Sequence, residues 1–407
     1  MNQGSAGQLL QLIRSGRATT RGELRRVTSL SRSTVGARLD QLFGAGWVRE
    51  AAGPAGASTG GRPALRLEFD TSHAVVLAAD LDTRHARVAV TDLGGAVLAE
   101  RAAPLEVEDG PAVVLPLLAR LGAAVLGDAE RPAHAVCGVG LAVPGPVDDG
   151  RLVQPPIMPG WDGHPVADLL GTRLADEAGT RPDLPVLVEN DANLMAYAEQ
   201  RHGHPDCSAF LLVKVGAGIG AGLVVDGGMY RGIDGGAGDI GHIRLADASD
   251  ALCRCGSYGC LAAVASGRAL AEQLTALGVT ARTAAEVRDL LADGRPEAVR
   301  LAREAGRRVG EVLATVVSLI NPGVLMIAGD LAGPPFLTGV RELLYQRAMP
   351  RTTVHLQMVT SRLGERAGLL GAALMVVDLL YGAERADARL AAGVPEAAAR
   401  PGVRAAG

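Results

Sequence analysis

The chain has no apolar run close to the ~18 uncharged residues that a membrane-spanning helix requires, and its polar start, MNQGSAGQ, lacks the hydrophobic centre of a signal peptide. No membrane partner is therefore expected, and the cytoplasm is the expected location. Cysteine is scarce as well. Five residues in 407 cannot staple a protein this long, and three of them crowd into Cys253 to Cys260, which points to a reducing compartment and a metal site rather than disulfides. Lysine is almost missing: Lys214 is the only one, so arginine carries nearly all the positive charge, a compositional bias that suggests no function by itself.

Apolar material is ample. A chain that is 48% hydrophobic with a mean hydropathy of +0.20 can fill the cores of two or three domains. The formal charge of -4 hides an asymmetry: residues 1–70 hold ten Arg against five acidic residues, net +5, and the remainder holds 30 basic against 39 acidic, net -9. A basic head on an acidic body implies a polyanion partner at the head only.

The head has the pattern of a winged helix-turn-helix. Leu9, Leu10, Leu12 and Ile13 form a helical apolar stripe that ends at Ser15-Gly16. A second helix opens on the capping box Thr20-Arg21-Gly22-Glu23 and carries Leu24 and Val27 inward. Ser31 can cap a third, in which Val35, Leu39, Leu42 and Phe43 recur at helical spacing. Its opposite face presents Arg32, Ser33, Thr34, Gly36 and Arg38, where short hydroxyls and a glycine allow close approach to base edges and arginine reaches guanine or phosphate. Trp47 to Arg49 and Leu65 to Leu67 alternate as strands of a wing whose tip, Gly60-Gly61-Arg62-Pro63, suits Arg62 to a minor groove. A small helical cap with a solvated basic face fits the same pattern.

From Ala74 onward the chain reads as α/β: strands at Ala74 to Asp80, Ala86 to Asp92, Val136 to Val143 and Pro185 to Val188, with a helix over Ala112 to Leu126. Within this frame lie Gly138-Val-Gly-Leu-Ala-Val-Pro-Gly-Pro-Val-Asp148, Pro159-Gly160-Trp161, Glu189-Asn190-Asp191-Ala192-Asn193, Gly216-Ala-Gly-Ile-Gly-Ala-Gly222, Gly238-Asp-Ile-Gly-His242 and Cys253-Arg-Cys-Gly-Ser-Tyr-Gly-Cys-Leu261. Motifs and order resemble the ROK (repressor, ORF, kinase) family over roughly residues 5–382. The resemblance implies a winged helix over residues 1–70 and two actin-like, ribonuclease H-like lobes closing on a sugar. The first lobe would span 71–192 plus 366–382 and the second 193–365, with Leu369 to Leu380 packing back on the first. The Ala/Arg-rich stretch 383–407 lacks a packing pattern and is expected to be disordered.

Three thiolates spaced C-x-C-x4-C, glycines at 256 and 259 to fold the loop back, and His242 upstream supply a set of three cysteines and one histidine for tetrahedral Zn2+ without appeal to the family. With all four positions filled, such a zinc is structural. A cluster of free buried cysteines is the alternative, and Cys137 and Cys207 read as ordinary thiols. The resemblance also puts His242 beside the sugar, makes Asp191 the counterpart of the kinases' catalytic base and sets Asn190 on the sugar rim. A carboxylate at a strand end is otherwise most often a helix cap.

Several positions depart from the kinase pattern. Gly216 to Gly222 can expose amides to a phosphate, although glycines mark any tight hairpin too. Its partner turn, Asp80-Leu-Asp-Thr-Arg-His, lacks glycine, and Asp82 puts negative charge where phosphates would lie. The segment from Asn321 to Leu331 resembles an adenosine-side element with its glycine run interrupted. ATP binding and kinase activity are therefore expected to be lost. Ala262 replaces an acidic sugar contact and Asp239 shortens another, each worth ~1 to 3 kcal/mol of discrimination. The expected protein is a non-enzymatic repressor acting on double-stranded operator DNA as a homodimer or homotetramer, with a sugar or sugar derivative as effector. A sugar kinase with an accessory head, and a zinc-stabilised regulator that no longer binds sugar, are the rival readings.

Overall fold

The computed structural model describes residues 4–51 and 65–393. The head comprises α1 (Ala6–Arg14), α2 (Arg21–Thr28), α3 (Arg32–Gly44) and the antiparallel pair β1 (Val48–Ala51) and β2 (Arg66–Phe69). Its caps are local chemistry. Thr20 Oγ1 accepts the Glu23 amide at 3.2 Å, and Glu23 Oε2 accepts the Thr20 amide at 3.0 Å. Ser31 Oγ accepts the Thr34 amide at 3.1 Å and so starts α3. Leu9, Leu10, Leu24, Leu39, Leu42 and Trp47 fill the core. Val27, expected to point inward, is 47% exposed, because the two-turn α2 touches the core along a single line that Leu24 already occupies. Arg62 and the rest of the wing tip lie outside the described residues.

The first lobe contains β3 (Val75–Leu81), β4 (His85–Asp92), β5 (Val97–Pro104), α4 (Pro111–Asp128) and β6 (Val136–Val143). The short hairpin β7 (Val147–Asp148) and β8 (Arg151–Leu152), α5 (Val166–Ala178) and β9 (Val186–Asn190) complete it. In the second, α6 (Asp191–Gly203) leads to β10 (Ala209–Val215), β11 (Ile219–Val225) and β12 (Gly228–Met229). A helical layer follows: α7 (Leu261–Ala265), α8 (Gly267–Ala276), α9 (Ala284–Ala292) and α10 (Pro296–Ile320). Then come β13 (Val324–Ala328), α11 (Pro334–Arg347), the one-turn α12 (Pro350–Thr353) and β14 (Gln357–Thr360). The two sheets run β5-β4-β3-β6-β9 and β12-β11-β10-β13-β14, each a three-stranded antiparallel meander extended by two parallel strands. The same order twice over defines a duplicated fold. Among the described residues α4 is the one unbroken helix long and apolar enough to cross a membrane. It packs on α5 and on β4 and β5 with Val114, Leu115, Leu118 and Leu126 buried, as a core helix does.

The last two helices are α13 (Ala367–Tyr381) and α14 (Ala383–Ala391). As the apolar run Leu369 to Leu380 suggested, α13 lies on β3 and β6 of the first sheet. The expectation of disorder from residue 383 is corrected by α14, which packs on α1 with Ala386 fully buried. An Ala-rich helix shows no stripe of large apolar residues, but alanine suffices where another helix approaches closely. Residues 394–407 lie outside the described residues.

Three glycines set how closely these layers meet. A Cβ on Gly371 of α13 would stand 2.6 Å from the Leu194 carbonyl carbon of α6, and nearer still to its oxygen. Gly140 of β6 meets the Ala372 carbonyl of α13 in the same way, and Gly222 of β11 the Ala192 carbonyl of α6. Backbone lies against backbone, so the neighbour cannot rotate away. Gly371→Ala is expected to destabilise the protein by roughly 2 to 4 kcal/mol, read as a lower urea midpoint. Gly36→Ala, where the added Cβ meets open space in α3, is expected to stabilise it by up to about 1 kcal/mol.

Candidate ligand cleft, metal centre and DNA-facing helix

Asp191 is the first residue of α6 and is buried. Asn190 is the N-cap: its Oδ1 accepts the Asn193 amide at 3.2 Å and its Nδ2 donates to the Gly145 carbonyl at 3.0 Å. The cap is therefore Asn190, which leaves Asp191 free of that duty. Asp191 Oδ1 accepts the Ala192 amide at 2.7 Å, and Lys214 Nζ stands 2.5 Å from Oδ2. Lys214, the only lysine, comes from β10 and also lies 3.6 Å from Asp82 Oδ2.

Sequence reasoning gave this partly buried cation no place in the site, although a charge inside the strand Ala209–Val215 was the available signal. Burial opposes the ammonium, but Asp191, Asp82 and Asp80 outweigh it and hold the Lys214 pKa above the ordinary lysine value. Burial likewise opposes the Asp82 carboxylate, but Lys214, His85 and the hydrogen bonds from Thr83 together outweigh it and keep that carboxyl below its usual range. Asp80 goes the other way: burial pushes its carboxyl up to about 7 against the pull of Lys214.

The cleft between the lobes encloses about 1370 Å³, lined among others by Asp80, Asp82, Lys214, Arg288 and Asp330. Asn190, Asp191, Asp239 and His242 do not line this cavity. Its two loops are engaged internally. Asp82 donates its amide to His85 O at 2.9 Å, its own Oδ1 accepts the Thr83 amide at 2.6 Å, and the Gly216 amide donates to Gly218 O at 3.0 Å. Within the run Gly216 to Gly222, Gly220 and Gly222 are residues of β11 and face Ala192 of α6. Close packing explains Gly222, and no phosphate is needed to account for it.

Asp239 and His242 follow β12 in a loop that runs along β11, where the Ala221 amide donates to Gly238 O at 2.9 Å. Strand β11 thus anchors this loop as well as the start of α6. The four atoms that His242, Cys253, Cys255 and Cys260 can offer lie within 4.8 Å of one another. Cys253 Sγ is 3.7 Å from His242 Nδ1, and Cys255 Sγ is 3.7 Å from Cys260 Sγ. A tetrahedral ion at ordinary zinc distances gives edges of about 3.8 Å between sulfurs and about 3.6 Å from sulfur to nitrogen. The donor set fits a metal ion of that size. Arg254, between two of the cysteines, pairs with Glu108 of the first lobe at 2.6 Å, and Arg231 pairs with Glu189 at 2.5 Å.

On α3, Arg32 and Ser33 are exposed and Thr34 and Arg38 partly so, whereas Val35, Leu39 and Leu42 are buried. Ser31 Oγ lies 2.8 Å from both the Ser33 and the Thr34 hydroxyl, and Arg38 donates to Gly4 O at 3.3 Å. Arg32 and Ser33 remain open to a partner from solution.

A winged helix joined to duplicated actin-like lobes with a loop of one histidine and three cysteines defines a class, and sequence comparison specifies it. The ROK family profile matches residues 76–378, and the chain belongs to the ROK family. It is 28% identical to the xylose repressor of Caldicellulosiruptor bescii over 91% of this chain and 94% of that protein. Among solved structures, a ROK family transcriptional regulator described as a homologue of the Escherichia coli MLC protein superimposes with a TM-score of 0.77 at 26% identity, covering 96% of this chain and 99% of that one. A ROK family glucokinase from Streptomyces griseus, solved with glucose and AMPPNP, matches 74% of this chain and 98% of its own at 27% identity and a TM-score of 0.62.

The Asp80 carboxyl gives a pH test. Its pKa in the folded protein, about 7, lies above the ordinary 3.8, so between those values the folded chain holds a proton that the unfolded chain has released. Ionising Asp80 then opposes folding, and its contribution to stability falls as pH rises through that window. Asp80→Asn is expected to gain roughly 2 to 3 kcal/mol over the parent between pH 5 and pH 8, measured by urea unfolding at both pH values. An unchanged difference across that range would show that Asp80 ionises normally.

Proposed function

We propose that the chain is a DNA-binding transcriptional regulator, acting as a repressor, whose lobes bind a sugar or sugar derivative without phosphorylating it. One observation carries the reading: Asp191, the group that would accept a proton in phosphotransfer, is ion-paired to Lys214, a partly buried lysine. A carboxylate held this way can still accept a hydrogen bond from a hydroxyl but is poorly placed to remove its proton. The match to repressors over nearly the whole chain, head included, supports the same reading.

Residues 1–70 form the DNA-binding unit in this proposal, with Arg32, Ser33, Thr34, Arg38 and Arg62 facing the operator. Asn190, Asp191, Asp239 and His242 contact the sugar. Zinc on His242, Cys253, Cys255 and Cys260 holds the loop that carries His242, and with no vacant position it supplies no chemistry. Two copies reading an inverted repeat, as a homodimer or within a homotetramer, complete the proposal. Ligand closure between the lobes changes the spacing of the heads, for which a preference of ~1 to 3 kcal/mol between open and closed states suffices.

Selection of bound fragments from the organism's own genomic DNA tests the reading. We expect recovery of a palindromic site, with affinity reduced at least tenfold by Arg32→Ala and by Arg38→Ala. No enrichment above a salt-sensitive background would remove the regulator reading, and an ATPase assay over a sugar panel would then test the kinase. Calorimetric titration with D-xylose, D-glucose and N-acetylglucosamine tests the effector site, and heat with any of them, lost in Asp191→Asn, supports it. The purified protein is also expected to carry one zinc per chain by elemental analysis, and Cys260→Ser to carry little and to unfold at a lower temperature.

A further inference from the structure

A single carboxylate joins the reader to the helix that starts in the cleft. Asp378, near the end of α13, is engaged through both oxygens. Its Oδ1 accepts Arg14 Nη2 of α1 at 2.8 Å. Its Oδ2 accepts Arg201 Nη2 of α6 at 3.1 Å and the Tyr197 hydroxyl, also of α6. Tyr197 and Arg201 are four residues apart and so share a face of α6, with the Arg201 guanidinium 5.0 Å from the Tyr197 ring.

Helix α6 begins at Asp191, so a rise of about 1.5 Å per residue puts Arg201 about 15 Å from the ligand end. Every residue from Asp191 to Gln200 is buried, and the backbone contacts of Gly222 and Gly371 grip the first turn from β11 and from α13. A helix held on all sides moves as one piece. The reader end is equally confined. Gln11 donates to Tyr381 O, Asp387 Oδ1 accepts the Gly7 amide at 2.8 Å, and the Arg389 guanidinium lies 4.8 Å from the rings of both Trp47 and Tyr381. Helix α1 is clamped by α13 and α14, and α6 reaches it through Asp378.

We propose that Asp378 is the coupling residue of the protein: a displacement of α6 at Asp191 passes through Tyr197 and Arg201 to its Oδ2, and from its Oδ1 through Arg14 to the DNA reader. This rests on the regulator reading, but its test requires neither DNA nor sugar. Lys214→Gln breaks the ion pair at the head of α6, and Asp191→Asn is a milder change at the same point should the first fail to fold. The readout is amide hydrogen exchange of α1 in the full chain, measured by mass spectrometry.

In a protein with the node intact, either cleft variant is expected to change exchange in α1 at least threefold. With Tyr197→Phe/Arg201→Ala added, which leaves the Arg14–Asp378 pair in place, the same cleft variant is expected to leave α1 unchanged. A purely structural Asp378 would not respond to that pair of substitutions. An α1 that ignores both cleft variants, or one that responds equally after Tyr197→Phe/Arg201→Ala, overturns the proposal. Failure of the regulator reading would instead show in the fragment selection, with these exchange results unaffected.

Discussion

The architecture depends on backbone meeting backbone where α6 is wedged between β11 and α13. Gly222 and Gly371 remove the side chains that would separate these elements, and Gly140 does the same between α13 and β6. A carbonyl in direct contact with a neighbouring backbone cannot relax as a side chain can, so the packing of α6 on β11 and α13, and of α13 on β6, is tightly defined. This fixes Asp191 at the junction of the lobes. It also sets Gly368 of α13 against the buried Asp80 carboxyl, where a Cβ would collide. Helix α13, against which α1 and α14 pack, thus also touches the wall of the cleft.

Within that framework the charged groups of the cleft are engaged with one another. A single ammonium serves the buried Asp191 and the partly exposed Asp82 beside a third acid, Asp80, and neutralises part of a cluster of like charge. The turn amides that would cradle phosphate are bonded within their own turns. Ion pairs Arg231–Glu189 and Arg254–Glu108 join the lobes at other points. The second of these comes from the loop that carries Cys253 and Cys255, so the order of that loop bears on how the lobes meet.

Several features could be read before any coordinates because they depend on neighbours in sequence. The Thr20–Glu23 capping box, the Ser31 cap and the apolar spacing of α3 are satisfied within one or two helical turns. The Cys253–Cys260 loop carries its own turn glycines. Strands β3, β4, β6 and β9 were legible as β-branched and apolar runs, whereas β5, with Glu100 and Arg101 at its centre, was not. Val27 and α14 were misjudged because burial on a short helix, or on an alanine-rich one, depends on which partner arrives.

Sequence alone thus determined the local elements, the cluster of one histidine and three cysteines that could hold a metal, and the charge asymmetry between head and body, since each rests on residue types at short spacing. Tertiary structure alone decided that Lys214 serves Asp191, that Gly222 exists for α6, and that Arg14 finds Asp378 from 364 residues away. The physical reason is that a salt bridge or a backbone contact between distant segments leaves no periodic trace. Its energy depends on burial and distance, which exist only once the chain is folded.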